Sequence, residues 1–248
     1  PGGPIISVFH QVHLHPDARL VESRHESGAA FAALGYHRSS GRVPALLVTA
    51  GPGVTNVVTG IAAAYLERVP MLVICGDVAS DGRRFLQDLD TERAGGIERL
   101  LGGVTRLVRR VERPEAATSA LRAALRAATD PERPGPAVLV VPIDAADVET
   151  EESPRHFATL ATPRAEAPLD PAAVEAAVAH LRRARRPLVL VGAGCRGHEV
   201  EVRRLVDALG APFMTTPQAK GLLPESHPAS LRNGGMSSSY WARRYTKE

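Results

Sequence analysis

A chain of 248 residues with 44% apolar side chains can bury the core of one large domain or two ordinary ones, which excludes a disordered or fibrous class. No apolar run approaches the roughly 20 residues of a membrane helix, so no membrane partner is expected. The formal charge of +3 comes from Arg residues interspersed with Asp and Glu, with Lys only at Lys220 and Lys247. That is how solvated helix faces look, and it argues against the broad basic surface of a nucleic-acid-binding protein.

The predicted elements alternate along the chain. A helix spans about residues 5–13. Residues 19–22 read as a strand, followed by a helix over 27–39. A strand at 45–49 feeds a helix over 53–67, and a strand at 71–75 follows. Two further strands, 104–108 and 137–141, are joined by a helix over 114–129 with Pro114 in its first turn. Each strand is short and rich in Val, Leu or Ile, as strands buried on both faces of a parallel sheet are. Alternating strand and helix implies right-handed crossovers and an α/β fold, a parallel sheet flanked by helices.

Between residues 150 and 170 the pattern lapses, with Pro154, Pro163 and Pro168 punctuating a polar stretch. This reads as an interdomain linker between a first domain at 1–149 and a second at 171–248. The second contains a helix over 171–184, a strand at 188–191, a Gly-rich turn, a helix over 199–209 and a strand at 212–215. It is an incomplete Rossmann-like α/β unit, expected to stop after little more than one crossover. The dense basic cluster Arg182, Arg183, Arg185 and Arg186 closes its first helix, where Arg complements the helix dipole.

The two cysteines, Cys75 ending an apolar run and Cys195 in a Gly-rich turn, suit a reducing compartment better than a disulfide framework. No signal peptide is visible, and a cytoplasmic location is expected. The chain begins at Pro1 rather than Met and ends on an open pattern, so it reads as truncated at both ends.

Several groups of residues can carry chemistry. Glu26 follows the strand expected at 19–22 and opens a helix. This places a carboxylate at the carboxyl edge of a parallel sheet, where α/β folds bind ligands. The free N–H groups of the helix start favour its ionised form, although a first-turn Glu is also a common helix-stabilising choice. Gly51, Pro52 and Gly53 form a sharp turn after the 45–49 strand that lets backbone approach a ligand, and Thr55 and Asn56 add hydrogen-bonding side chains. Turn glycines before a helix N-cap are the structural alternative. Gly192, Gly194 and Gly197 match G-x-G-x-x-G after a strand. The acidic residue expected at the end of the next strand is missing, since that strand ends in Thr215-Thr216.

Taken in order and spacing, residues 24–78 resemble the pyrimidine-binding domain of thiamine-diphosphate enzymes of the acetolactate synthase type. The family's His-Glu pair falls on His25-Glu26. Its Gly-Pro-Gly-x-Thr-Asn run falls on Gly51, Pro52, Gly53, Thr55 and Asn56, and its strand-end Gly-x-Val on Gly76 and Val78. Phe85 and Gln87 resemble, more loosely, the segment that lines the substrate side. Thr215-Thr216-Pro217, Lys220-Gly221, Pro224-Glu225 and His227-Pro228 are similar to the family's central domain, so the resemblance spans about residues 1–235.

The resemblance implies a thiamine diphosphate cofactor, bound through His25, the Gly51–Asn56 run and Gly76. Glu26 is implied as the catalytic group, hydrogen-bonded to the aminopyrimidine N1′ atom and promoting proton loss from the thiazolium ring. It implies decarboxylation of a 2-oxo acid, carboligation or both, in a homodimer or homotetramer whose site forms between subunits. Mg²⁺ and the diphosphate would be held by a third domain through a Gly-Asp-Gly run that does not occur here, so no metal ligand is expected in this chain and the fragment alone is expected to be inactive. FAD binds the central domain in only some members. Ser27 and Asp77 each stand where the synthases usually carry Gln, which leaves a decarboxylase or another carboligase open. Two readings stand beside this one: an FAD- or NAD-binding oxidoreductase using the Gly192–Gly197 turn, and a non-catalytic split subunit.

Overall fold

A computed structural model of the chain describes residues 2–80, 89, 95–150 and 168–247. The chain divides into two compact units, Pro1–Ala165 and Glu166–Glu248. Residues 151–167, most of the expected linker, and the expected substrate-side residues Phe85 and Gln87 lie outside the described residues.

In the first unit, α1 (Ile6–Leu14) and α2 (Glu26–Ser40) precede β1 (Ala45–Val48). Then come α3 (Pro52–Leu66), β2 (Met71–Asp77), α4 (Gly96–Gly102), β3 (Leu107–Arg110), α5 (Ala117–Ala128), β4 (Pro136–Pro142) and the short α6 (Ile143–Ala146). The four strands form a sheet of order β1-β2-β4-β3, and every pair is parallel. Met71 to Asp77 runs in register with Pro136 to Pro142 at its centre. Parallel strands need helical crossovers, so both faces are covered and the central strands are apolar throughout.

Because strand side chains alternate, β2 splits its residues between two cores. Val73 and Cys75, with Val138 and Val140 of β4, meet Ala30 and Leu34 of α2, Val54, Val57 and Ile61 of α3, and Ile97 and Leu101 of α4. Leu72, Ala137 and Leu139 face the opposite side, where Ala120, Ala124 and Ala128 of α5 pack. The i, i+4, i+8 spacing of those alanines gives one small-residue stripe against the sheet. Burial, with the charges of Asp77 and Glu98 adding, pushes the Cys75 thiol up, which leaves it a protonated, inert core residue.

The closest helix contact is between α2 and α3. A Cβ placed on Gly60 would lie 2.3 Å from the Cβ of Ala30. Only hydrogen at Gly60 permits this approach, and the two helices cross nearly backbone to backbone.

At the carboxyl edge of the sheet, Asp77 is 3% exposed. Arg110, from the far side of β4, reaches it with Nη2 2.7 Å from Oδ2, and its Nε lies 2.5 Å from Glu98 Oε1 on α4. One guanidinium thus pairs with two carboxylates and joins the ends of β2, β3 and α4.

The sequence expectation of a strand at 19–22 is corrected: the described residues 18–23 have no regular structure, and among the described residues no strand precedes β1. Only Leu20 and Val21 are apolar there, and Val21 is 78% exposed. Leu20 and Glu22 instead face Ile6, Phe9, His10 and His13 across an open groove of ~410 Å³. The strand expected at 104–108 begins three residues later, because Val104 N–H and the Thr105 hydroxyl both donate to Leu101 O, at 3.0 and 2.9 Å, and close α4. The helix expected from Pro114 starts as a 3₁₀ turn, Pro114–Ala116, before α5.

The second unit runs α7 (Pro171–Arg183), β5 (Val189–Val191), α8 (Glu199–Leu209), β6 (Phe213–Thr215), β7 (Ser230–Asn233) and α9 (Tyr240–Lys247). Its sheet is β5-β6-β7, again parallel. Val191, Val206, Phe213, Ala219 and Leu223 form its core. Asp170 caps α7 by accepting from Ala172 N–H at 3.0 Å. β7 and α9 extend the unit beyond the single crossover expected from sequence.

Two stability outcomes follow from these contacts. Gly60→Ala is expected to cost about 1–3 kcal/mol by overpacking the helix crossing, and adding Ala30→Gly should recover most of it in urea unfolding. Arg110→Met leaves Asp77 and Glu98 without their cation and should cost about 3 kcal/mol, near the low end for a broken buried pair because Arg110 keeps some solvent contact. Adding Asp77→Asn should return part of that loss in the same assay.

Candidate active site

The site is built where α2 and α3 begin. His25 is the N-cap of α2, with extended backbone (φ −151°, ψ 139°), and its Nδ1 accepts from Ser27 N–H at 3.2 Å. The cap therefore fixes Glu26 as the first residue of the helix. α3 begins after Gly51, whose φ of 64° with ψ of −112° turns the chain out of β1. Pro52 then occupies the first helical position, where its missing N–H costs nothing.

The two helix starts meet through side chains. Asn56 Nδ2 donates to Glu26 Oε2 at 3.0 Å, and Ser27 Oγ donates to Asn56 O at 2.5 Å. Glu26 and Asn56 each lie one turn before the Ala30–Gly60 crossing, so that contact sets the spacing of the pair. The Glu26 backbone N–H first and the Asn56 amide second hold the carboxyl below its ordinary range. Its partial burial acts the other way and is outweighed.

The remaining expected residues make contacts of their own. Thr55 is exposed, and its hydroxyl donates to Pro52 O at 3.2 Å, inside the first turn of α3. Gly53 is buried, with Thr49 Cγ2 3.0 Å from where a Cβ would sit. Gly76 ends β2 against the Pro4 carbonyl, only 2.4 Å from a would-be Cβ. Glu26, Asn56 and the Gly51–Asn56 turn are thus brought together. His25 serves the helix cap, and Gly76 lies at the neighbouring strand end. Ser27 was not singled out from sequence as a site residue, yet it ties Asn56 in place; its small hydroxyl directly after Glu26 was the available signal. Thr49 Oγ1, buried and without a hydrogen-bond partner, was also missed.

Residues 1–94 match the family described as thiamine pyrophosphate enzyme, N-terminal TPP binding domain, and residues 174–248 match thiamine pyrophosphate enzyme, central domain. The chain belongs to the thiamine pyrophosphate enzyme family. It is similar to the acetolactate synthase isozyme 1 large subunit of Escherichia coli, 33% identical over 241 residues, covering 95% of this chain and 41% of that protein. The acetolactate synthase large subunit of Lactococcus lactis is 32% identical over 247 residues, with 98% and 42% covered. Acetolactate synthase 1, chloroplastic, of Zea mays is 33% identical over 249 residues, with 98% and 38% covered. The chain therefore spans about two fifths of the length of these relatives.

The residues present suit the pyrimidine end of this family's cofactor: a partly buried carboxylate, held ionised, beside the turn that carries Asn56. Among the described residues no group of three or more His, Cys, Asp or Glu could hold a metal ion. In the second unit, the Gly192–Gly197 turn already has an internal anion, since Gly197 N–H donates to Glu199 Oε1 at 3.0 Å. That bond, first among its causes, lowers the Glu199 carboxyl. Among the described residues no helix is long and apolar enough to cross a membrane.

The lowered Glu26 carboxyl has a stability consequence. Its ionised form adds stability above the ordinary value of 4.5, and that increment is lost as pH falls through the lower folded value. The urea midpoint of the unmodified chain is expected to exceed that of Glu26→Gln at pH 7, and the gap should narrow below about pH 4.

Proposed function

We propose that this chain supplies the pyrimidine-binding half-site and part of the central domain of an enzyme that decarboxylates a 2-oxo acid, with or without transfer of the resulting two-electron-reduced acyl unit to an acceptor. The observation that carries the reading is Glu26, held ionised by its own backbone N–H and by the Asn56 amide at the start of α2, beside the Gly51–Asn56 turn. When bound, thiamine diphosphate supplies the carbanion that attacks a 2-oxo group. Glu26 holds the proton at the pyrimidine edge and so acts in general acid–base catalysis. Gly51 and Gly53 shape the turn that brings Asn56 to Glu26, and Gly76 lets β2 pass close to the Pro4 carbonyl.

The similarity to acetolactate synthases supports carboligation, and Ser27 and Asp77 leave the acceptor open. Mg²⁺ and the cofactor's diphosphate are assigned to a domain beyond this chain, and the chain alone is assigned no activity. We place the enzyme in the cytoplasm as a homodimer or homotetramer. Glu199 on Gly197 N–H disfavours a dinucleotide or flavin diphosphate at the Gly192–Gly197 turn.

Calorimetry with thiamine diphosphate and Mg²⁺ on the complete reading frame that contains this chain, followed by a 2-oxo acid screen, tests the reading. Glu26→Gln is expected to lower turnover by about 10²- to 10⁴-fold with an unchanged fold. Full turnover by that variant would remove Glu26 from the chemistry.

A further inference from the structure

Asn56 carries more than the role of a ligand contact. Its side-chain N–H meets Glu26 Oε2 at 3.0 Å, while its backbone carbonyl takes the Ser27 hydroxyl at 2.5 Å. Glu26 and Ser27 are consecutive, so the two bonds grip Asn56 from both ends. Ser27 is itself held, because its backbone N–H donates to His25 Nδ1 at 3.2 Å. One turn further along both helices, Ala30 and Gly60 touch, and a Cβ on Gly60 would fall 2.3 Å from Ala30 Cβ. The carboxylate is therefore met by an amide whose own backbone is fixed by Ser27, and swinging away breaks the Asn56 bond.

We infer that Asn56 is a positioning residue, which acts through Glu26 by fixing the orientation and ionised state of its carboxylate, and that Ser27 is the latch that keeps Asn56 in place. This inference rests on the catalytic reading of Glu26 given above. A donor amide stabilises the charged form of its acceptor, and a carboxylate in the same place destabilises it. The lowered Glu26 carboxyl agrees, with Asn56 the second of its causes after the Glu26 backbone N–H. A merely structural Asn56 would tie the helices together and leave the carboxylate titration alone.

The test is a ¹³C NMR titration of the Glu26 carboxyl in the 248-residue chain, with Asn56→Ala, Asn56→Asp and Ser27→Ala compared with the unmodified protein. Asn56→Ala is expected to raise the Glu26 midpoint by about 0.5–1 pH unit, the equivalent of one lost hydrogen bond. Asn56→Asp, similar in shape but lacking the donor, should raise it further, and Ser27→Ala should raise it less. A Glu26 midpoint unchanged in Asn56→Asp, in a chain whose amide spectrum is otherwise native, overturns the inference. Should Asn56→Ala fail to fold, the Asp and Ser27 variants decide alone. The catalytic reading is tested separately, by hydrogen–deuterium exchange at the thiazolium carbon of thiamine diphosphate in the complete reading frame. Exchange that survives Glu26→Gln sinks that reading and leaves the titration result standing. Exchange lost in Glu26→Gln, with its acid limb raised in Asn56→Asp by the amount seen in the titration, supports both.

Discussion

The first unit is organised around the place where α2 and α3 touch at Ala30 and Gly60. Helices packed through larger side chains stand 8–10 Å apart. Here a missing side chain lets them approach until an added Cβ would overlap its neighbour. The two helices run in the same sense through the contact, so their first turns converge as well. There Asn56 meets Glu26, and Ser27 meets the Asn56 carbonyl. The position of the carboxylate is thus a consequence of packing a turn away. Local helix propensity would have placed a glutamate at the start of α2 without deciding what it faces.

The parallel sheet supplies the other half of the arrangement. All its strands end on one edge, where the last residues of β2 carry Gly76 and the loop after β1 carries Gly51 and leads into α3. An edge of this kind gathers charge, and the chain manages it with Arg110, which spans β4 to pair with both Asp77 and Glu98. The same carboxylates help keep Cys75 protonated beneath them. Charge at the rim is therefore paired with a cation where it is structural, whereas Glu26 is held ionised by its own backbone N–H and a neutral amide. A neutral partner leaves the carboxylate its charge for a ligand; a cation would have cancelled it.

The second unit shows how a familiar glycine spacing can serve another end. The Gly192–Gly197 turn follows a strand and precedes a helix, as a phosphate-binding turn does. Yet the acidic group that meets its backbone comes from the first residue of α8, Glu199. A carboxylate at a helix start stabilises that helix in the same way that a phosphate would. The spacing alone does not distinguish the two uses.

Much of this was legible in the residues. Val-, Leu- and Ile-rich runs marked β1, β2 and β4, because strands covered on both faces need apolar residues at every position. The Gly-Pro-Gly turn and the carboxylate at residue 26 were visible because a sharp turn and a helix start have strong local signatures. Residues 19–22 misled because two apolar residues cannot show whether a strand partner exists; the structure turns Leu20 toward α1 instead. β7 was hidden because Ser230–Asn233 has one apolar side chain, and it pairs only because β6 offers a free edge. By itself the sequence determined the α/β alternation, the helix start beside Glu26 and the residue types available for chemistry, all of which depend on neighbours close along the chain. That Asn56 holds Glu26, that Ser27 holds Asn56 and that Arg110 serves two carboxylates was decided only by tertiary structure. Each of these contacts joins positions at least a dozen residues apart, or depends on one that does, and no local preference encodes such distances.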